Sequence, residues 1–175
     1  YLRHVGERFG GYDIDPGQAL IWLHAVSVGE TRAAQPLVSA LKARYPGHRI
    51  LLPHVTPSGR QASVELFGEG VLRAYLPYDG PVAVRRFLAH FRPAVGVIME
   101  TELWPNLVQA CKAQGIPLLL ANARLSEKSA RRYARFPNLT RRALRDLAGI
   151  AAQTEQDAAR LAALGAPEVA VLGNV

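Results

Sequence analysis

Val95-Gly96-Val97-Ile98-Met99 is apolar at every position, and so, one helix-length further on, is Leu118-Leu119-Leu120-Ala121. A strand that faces water on one side alternates apolar with polar residues. A run without alternation reads as a strand covered on both faces, the condition of a parallel sheet between two layers of helices. Working outward, the same reading predicts strands over 20–25, 49–53, 71–76, 94–99, 117–122, 149–152 and 168–172. Helical spacing predicts helices between them, over 31–45 (Ala34, Leu37, Val38, Leu41), 58–67, 81–91, 104–114 and 155–164. Pro81 and Pro105 fall in first turns, where proline is tolerated. Gly47, Gly68, Gly115 and Gly165 follow helix ends, where the left-handed conformation is expected. The stretch 126–146 reads as two short helices broken near Phe136-Pro137-Asn138, with Asn138 as the cap. Regular β-α alternation gives the fold class: α/β, a doubly wound, Rossmann-like parallel sheet. Ligands in such sheets bind beyond the carboxyl ends of the strands, so the loops after the strands are where chemistry is sought.

The chain of 175 residues suits one domain over 20–175, after a lead-in of 1–19. Its 49% hydrophobic content is enough for a core. One cysteine, Cys111, excludes an internal disulfide framework. There is no apolar run of membrane-spanning length, about 20 residues, and no signal-peptide pattern. Of the 21 basic residues only Lys42, Lys112 and Lys128 are lysines, so the cations are mostly guanidinium forks suited to phosphate or carboxylate. Between Arg124 and Asp146 stand eight basic residues against two acidic ones, a local excess of +6 out of the total +7.

Three loops carry the candidate residues. His24-Ala25-Val26-Ser27-Val28-Gly29-Glu30 leads from a strand into a helix; Gly29 permits a tight turn or close approach, and the helix start favours an anion. The plain alternative is that Ser27 is a cap and Glu30 a first-turn acid. Met99-Glu100-Thr101-Glu102-Leu103-Trp104-Pro105-Asn106 places two carboxylates beside an indole at a strand end, where carboxylates need solvent or a partner. Sugar hydroxyls are natural partners; two carboxylates without histidine make a poor metal signature. Asn122-Ala123-Arg124-Leu125-Ser126 leads into the arginine-rich stretch. His54-Val55-Thr56-Pro57-Ser58-Gly59 and Leu76-Pro77-Tyr78-Asp79 are lesser strand-end loops with a plain turn-forming explanation.

Rival chemistries find less. Ala25-Val26-Ser27-Val28-Gly29 approaches the G-x-S-x-G nucleophile elbow, but a hydrolase then needs an acid and a histidine in order. Of His48, His54 and His90, only His90 follows a plausible acid, Asp79, and it lies late in a helix. The dinucleotide fingerprint, the Walker A loop and a zinc cluster are all absent. A non-catalytic module that holds nucleic acid or another anion is compatible with the basic cluster, yet leaves the strand-end glutamates unexplained.

Taken together, the Ser-Val-Gly-Glu loop, the Glu-Thr-Glu-Leu-Trp-Pro-Asn loop and the Asn-Ala-Arg-Leu-Ser loop resemble those of the 3-deoxy-D-manno-octulosonic acid (Kdo) transferases of lipopolysaccharide synthesis. Thr56-Pro57-Ser58-Gly59 and Leu76-Pro77-Tyr78-Asp79 look like family segments too, and the resemblance runs over about 20–175. It implies the N-terminal, acceptor-binding half of a GT-B glycosyltransferase. A C-terminal domain after Asn174-Val175 is then expected to hold the donor CMP-Kdo, and an apolar anchor to lie upstream; this piece alone is expected to be inactive. By the same resemblance Glu30 is the general base of an inverting transfer to a glucosamine hydroxyl of the lipid A precursor. Ser27, Gly29, Thr56, Ser58, Glu100, Thr101, Glu102, Trp104, Asn122, Arg124 and Ser126 are expected at the substrate. Glu100 and Glu102 either bind acceptor or support Glu30. Lys128, Arg131, Arg132 and Arg135 are expected to meet phosphate or an anionic membrane, against the plainer view that they form a solvated helix face. No metal, cofactor or nucleic acid is called for, and the location implied is the cytoplasmic face of the bacterial inner membrane.

Overall fold

The computed structural model describes residues 4–17 and 19–174. Residues 1–3 and 18 of the lead-in, and Val175, lie outside the described residues. Among the described residues there are seven strands: β1 Leu20–His24, β2 Arg49–His54, β3 Leu72–Tyr75, β4 Val95–Met99, β5 Leu118–Ala123, β6 Gly149–Ala152 and β7 Ala170–Val171. They form one sheet in the order β3-β2-β1-β4-β5-β6-β7, with parallel registers at β1/β2, β2/β3, β5/β6 and β6/β7. The expected α/β Rossmann-like class is found. The chain packs as two compact units, one up to Gly96 and one over Val97–Asn174.

In the first unit, Leu20 pairs with Arg49 and Leu51 with Leu72. All of β1 is buried, as are Ile50, Leu51 and Leu52 of β2, so these strands are covered on both faces as their unbroken apolar runs predict. Helix α4, Pro81–Phe91, buries Val84, Phe87, Leu88 and Phe91 at helical spacing, and Phe87 meets Trp22 edge-on at 5.4 Å. Each such side chain removed from water is worth about 1.5–3 kcal/mol. Arg73 is buried on β3, but its guanidinium donates to the Oγ and carbonyl of Ser63 and to the carbonyl of Gly68, which ties β3 to the end of α3, Pro57–Phe67.

The helix expected over 31–45 is two helices, α1 Val28–Ala33 and α2 Gln35–Arg44. Pro36 is the reason: it has no N–H to give, and its ring would crowd the carbonyl one turn back, so the axis breaks at Ala34. Gly47 is not left-handed, because the chain has already left the helix at Tyr45; Gly115 and Gly165 do take positive φ. The lead-in is more than a lead-in. A 3-10 turn at Gly6–Phe9 sets the Glu7 carboxylate on the N–H of Tyr75, and Arg8 donates to the carbonyls of Leu76, at 3.0 Å, and Val55. Tyr12 donates to the carbonyl of Tyr75 at 3.0 Å and packs edge-on against Phe91.

In the second unit, α5 Pro105–Ala113, α6 Glu127–Tyr133, α7 Pro137–Asp146 and α8 Glu155–Ala163 accompany the strands. Ile98, Met99, Leu107, Val108, Leu120, Leu144 and Leu161 are among its fully buried large residues. Strand β5 departs from expectation: Leu118 and Leu120 are buried, but Leu119 between them is 36% exposed. An apolar run therefore does not guarantee cover on both faces. Asn138 is not a cap. Phe136 holds that position without a side-chain bond, and Pro137 opens α7 in the first turn. Strand β7 is shorter than expected, two exposed residues.

Candidate functional site

The first cluster lies in the first unit, where β1 passes into α1. Ser27 is the N-cap of α1: its Oγ accepts the N–H of Glu30 at 3.2 Å. The same hydroxyl donates to Glu30 Oε1 at 2.7 Å, and the N–H of Val26 donates to Oε2 at 2.9 Å. This is a capping box in which the glutamate reaches one residue further back than usual. Glu30 is 7% exposed, so the carboxylate is oriented by both oxygens and kept near the positive end of a helix. Thr31 continues the lock by donating to the carbonyl of Ser27 at 2.6 Å. The plain reading of Ser27 as a cap is thus correct, and it is compatible with chemistry, because a positioned carboxylate is what a general base has to be.

The tight turn expected at Gly29 is not there. Gly29 lies inside α1 without positive φ, and a Cβ on it meets nothing closer than Ser27 Oγ at 3.9 Å, so the local backbone does not demand glycine. Gly59, which sequence reasoning passes over, does carry such a demand. A Cβ on it would stand 2.9 Å from the carbonyl oxygen of Val26 and 3.2 Å from Thr56 Oγ1. Glycine there lets α3 approach the loop that carries Ser27. Thr56 caps α3 by accepting the N–H of Gly59 at 3.1 Å, and Ser58 donates to Thr56 Oγ1 at 3.2 Å. The signal is present in Thr56-x-x-Gly59, but nothing local tells what Gly59 touches.

Two histidines of this unit are held neutral. His24 and His54 are fully buried, and burial pushes each imidazole down to about 3; at His54 the neighbouring Arg60 and Arg73 push the same way. His90 places its Nε2 at 2.8 Å from the carbonyl of Ile14, and Ser27 is engaged with Glu30. The nucleophile elbow therefore has no histidine partner among these residues.

The second cluster lies in the second unit, at the ends of β4 and β5. Glu100 and Asn122 both have left-handed backbone, φ 56° and 53°. A non-glycine residue there costs about 1–3 kcal/mol and persists only where the surroundings enforce it. The enforcement is visible. The N–H of Glu100 donates to the carbonyl of Ala121 at 3.0 Å, and Thr101 Oγ1 to that of Arg124 at 2.7 Å. Tyr133 donates to the carbonyl of Thr101 at 3.0 Å; burial pushes its phenol up, so it stays a donor. Trp104 Nε1 donates to Glu102 Oε2 at 2.8 Å, which gives that carboxylate the partner it needs. Asn122 is buried, whereas Arg124 and Ser126 are exposed. Ser126 caps α6 by accepting the N–H of Ser129 at 3.2 Å.

Asp157 escapes sequence reasoning altogether. It is 6% exposed, and burial favours its neutral form, but hydrogen bonds from Thr154 and Leu125 with Arg160 and Arg124 nearby outweigh this and hold the carboxyl below its ordinary range. Thr154-x-x-Asp157 is legible as the start of α8; its reach to Leu125 is not.

The basic residues sort by partner. Lys128, Arg131, Arg132 and Arg135 line a surface concavity of about 650 Å³ on α6. Arg131 also pairs with Glu127 at 2.6 Å, an exposed contact of about 0.2–1 kcal/mol that leaves the patch strongly positive. Arg132 is shared with an apolar groove of about 210 Å³, lined by Leu103, Pro105, Tyr133, Phe136 and Leu139. Phe136 is 66% exposed. Among the described residues no group of three or more His, Cys, Asp or Glu is placed to hold a metal, and no helix is long and apolar enough to cross a membrane.

A solved UDP-GlcNAc 2-epimerase from Neisseria meningitidis matches 90% of this chain and 47% of its own, with a TM-score of 0.62 at 16% identity, a likeness of fold. In sequence, the 3-deoxy-D-manno-octulosonic acid transferase of Bordetella pertussis is 47% identical over 165 residues, 91% of this chain and 38% of that protein. That of Haemophilus influenzae is 38% identical over 180 residues, all of this chain and 42% of that protein. The chain thus spans about two fifths of the curated relatives it matches. The sequence profile described as "3-Deoxy-D-manno-octulosonic-acid transferase (kdotransferase)" matches residues 3–175. The chain belongs to the 3-deoxy-D-manno-octulosonic acid transferase family.

Proposed function

We propose that this chain is the acceptor-binding half of an inverting glycosyltransferase that moves Kdo from CMP-Kdo to a glucosamine hydroxyl of a lipid A precursor. A C-terminal domain would hold the donor. The observation that carries this reading is Glu30, a carboxylate held at the start of α1 by Ser27 and the N–H of Val26. A sugar hydroxyl is a poor nucleophile until a positioned base takes its proton in the transition state. Glu30 takes that proton while the hydroxyl oxygen forms its bond to the anomeric carbon of Kdo. The bond from that carbon to the CMP phosphate oxygen breaks, CMP leaves with the electron pair, and configuration inverts. No metal or cofactor enters the scheme.

Glu100, Glu102, Asn122 and Arg124 would hold the acceptor, the acids through sugar hydroxyls and Arg124 through an anionic group. The concavity of Lys128, Arg131, Arg132 and Arg135 beside an apolar groove supports a ligand that is both phosphorylated and lipid-linked, met at the cytoplasmic face of the inner membrane. The test is Glu30→Gln in the full-length enzyme. Turnover should fall by about 10²–10⁴-fold, the usual worth of a general base, with folding intact. Near-normal turnover would end the base assignment.

A further inference from the structure

The backbone from Ala121 to Leu125 is tied at every carbonyl. Glu100 N–H donates to Ala121 O at 3.0 Å, Gln153 Nε2 to Asn122 O at 3.3 Å, and Gln153 N–H to Ala123 O at 3.0 Å. Thr101 Oγ1 donates to Arg124 O at 2.7 Å, and Arg160 Nη1 to Leu125 O at 3.1 Å. The N–H of Leu125 in turn donates to Asp157 Oδ1 at 2.8 Å. Two of these five carbonyls, Ala121 and Ala123, take backbone donors of the sheet kind. The others are held by side chains, and both polar groups of Leu125 are held from one turn of α8. Asp157 Oδ2 is taken by Thr154 Oγ1 at 2.5 Å, and Arg160 stands 3.9 Å from Asp157.

Resting on the reading of Arg124 as an acceptor contact, we propose that Asp157 and Arg160 are positioning residues for Arg124. They fix the peptide plane next to an exposed guanidinium so that its fork meets an anionic group of the acceptor, a phosphate or a carboxylate, in one orientation. Bidentate recognition depends on that orientation, since the two N–H bonds must run parallel. Asp157 does not itself touch the ligand: it is buried, with its oxygens on Leu125 and Thr154. Thr101 completes the hold from the opposite loop. An asparagine at 157 would keep one acceptor for Leu125 and lose the charge facing Arg160.

The experiment is a double-mutant cycle in the full-length enzyme, reading kcat and KM for the acceptor in wild type, Arg124→Ala, Asp157→Asn and the double variant. Arg124→Ala should lower kcat/KM by about 10- to 100-fold. Asp157→Asn should lower it about 10-fold, through KM more than kcat, when Arg124 is present, and less than about 2-fold when it is absent. A merely structural role would cost the same factor in both backgrounds, and that result overturns the proposal. So does an Arg124→Ala enzyme with unchanged kinetics. If Asp157→Asn does not fold, Arg160→Ala, which removes the Leu125 carbonyl tether and the charge facing Asp157 but keeps the Asp157 bond to the Leu125 N–H, goes through the same cycle: a loss confined to the Arg124 background supports the proposal, and an equal loss in both overturns it. The catalytic reading fails separately, on Glu30→Gln, so the two failures are distinguishable.

Discussion

The Ser27–Glu30 turn and the loop from Ala121 to Leu125 hold their candidate residues by opposite means. Glu30 is oriented by partners three and four residues away. The second loop is oriented by partners 23, 31, 32 and 35 residues away; Asn122 within it and Glu100 bonded to it take left-handed backbone. On the proposed reading, the base has only to be fixed against its own helix, whereas an acceptor contact has to be fixed relative to several elements at once, which requires long-range bonds and tolerates strain.

Three perturbations press on this contrast. The largest effect is expected at the basic face beside the second loop. Reversing the charge at Arg131, Arg132 and Arg135 should weaken binding to vesicles containing phosphatidylglycerol by at least about 100-fold, since each basic residue near such a surface contributes about 1 kcal/mol and the new acidic groups are repelled. Binding to pure phosphatidylcholine should not change. Equal binding before and after reversal would leave the patch a solvated helix face.

Next is Gly59→Ala, which attacks the local turn from outside. The new Cβ would be 2.9 Å from the carbonyl oxygen of Val26, backbone that cannot swing aside. Overpacking of this kind costs about 1–3 kcal/mol, read from urea unfolding. Unchanged stability would show that the Ser27 loop does not depend on α3. The smallest effect is expected for Glu100→Gly. Glycine relieves the strain of φ 56° but adds freedom to the unfolded chain, about 0.5–1 kcal/mol against it. Stability should therefore stay within about 1 kcal/mol of wild type or rise, while acceptor KM rises. A clear loss of stability would mean that Glu100 holds the fold rather than the substrate.

The parts legible in advance share a scale. Helix α4 is readable to the residue because Val84, Phe87, Leu88 and Phe91 announce its buried face. The Ser27 cap is readable because donor and acceptor are three positions apart. Pro36 marks the break between α1 and α2, yet the apolar spacing around it argues for one helix and hides it. Leu119 looks buried because its neighbours are apolar, but solvent reaches it on β5. Glu7 and Arg8 carry no pattern, and their bonds to Tyr75, Val55 and Leu76 make them part of the strand ends.

From residue order alone came the alternation of strands and helices, the cap at Ser27, and the identity of the acids and arginines at the strand ends. These depend on interactions within one or two helical turns, which leave a period or a short spacing in the chain. Tertiary structure alone decided that Gly59 must be small, that the backbone around Gly29 does not itself demand glycine, and that Glu100, Thr101, Gln153, Asp157 and Arg160 converge on five residues of backbone. Bonds closed across tens of residues leave no periodic trace, because their geometry is set by how the elements pack and not by the spacing between the partners.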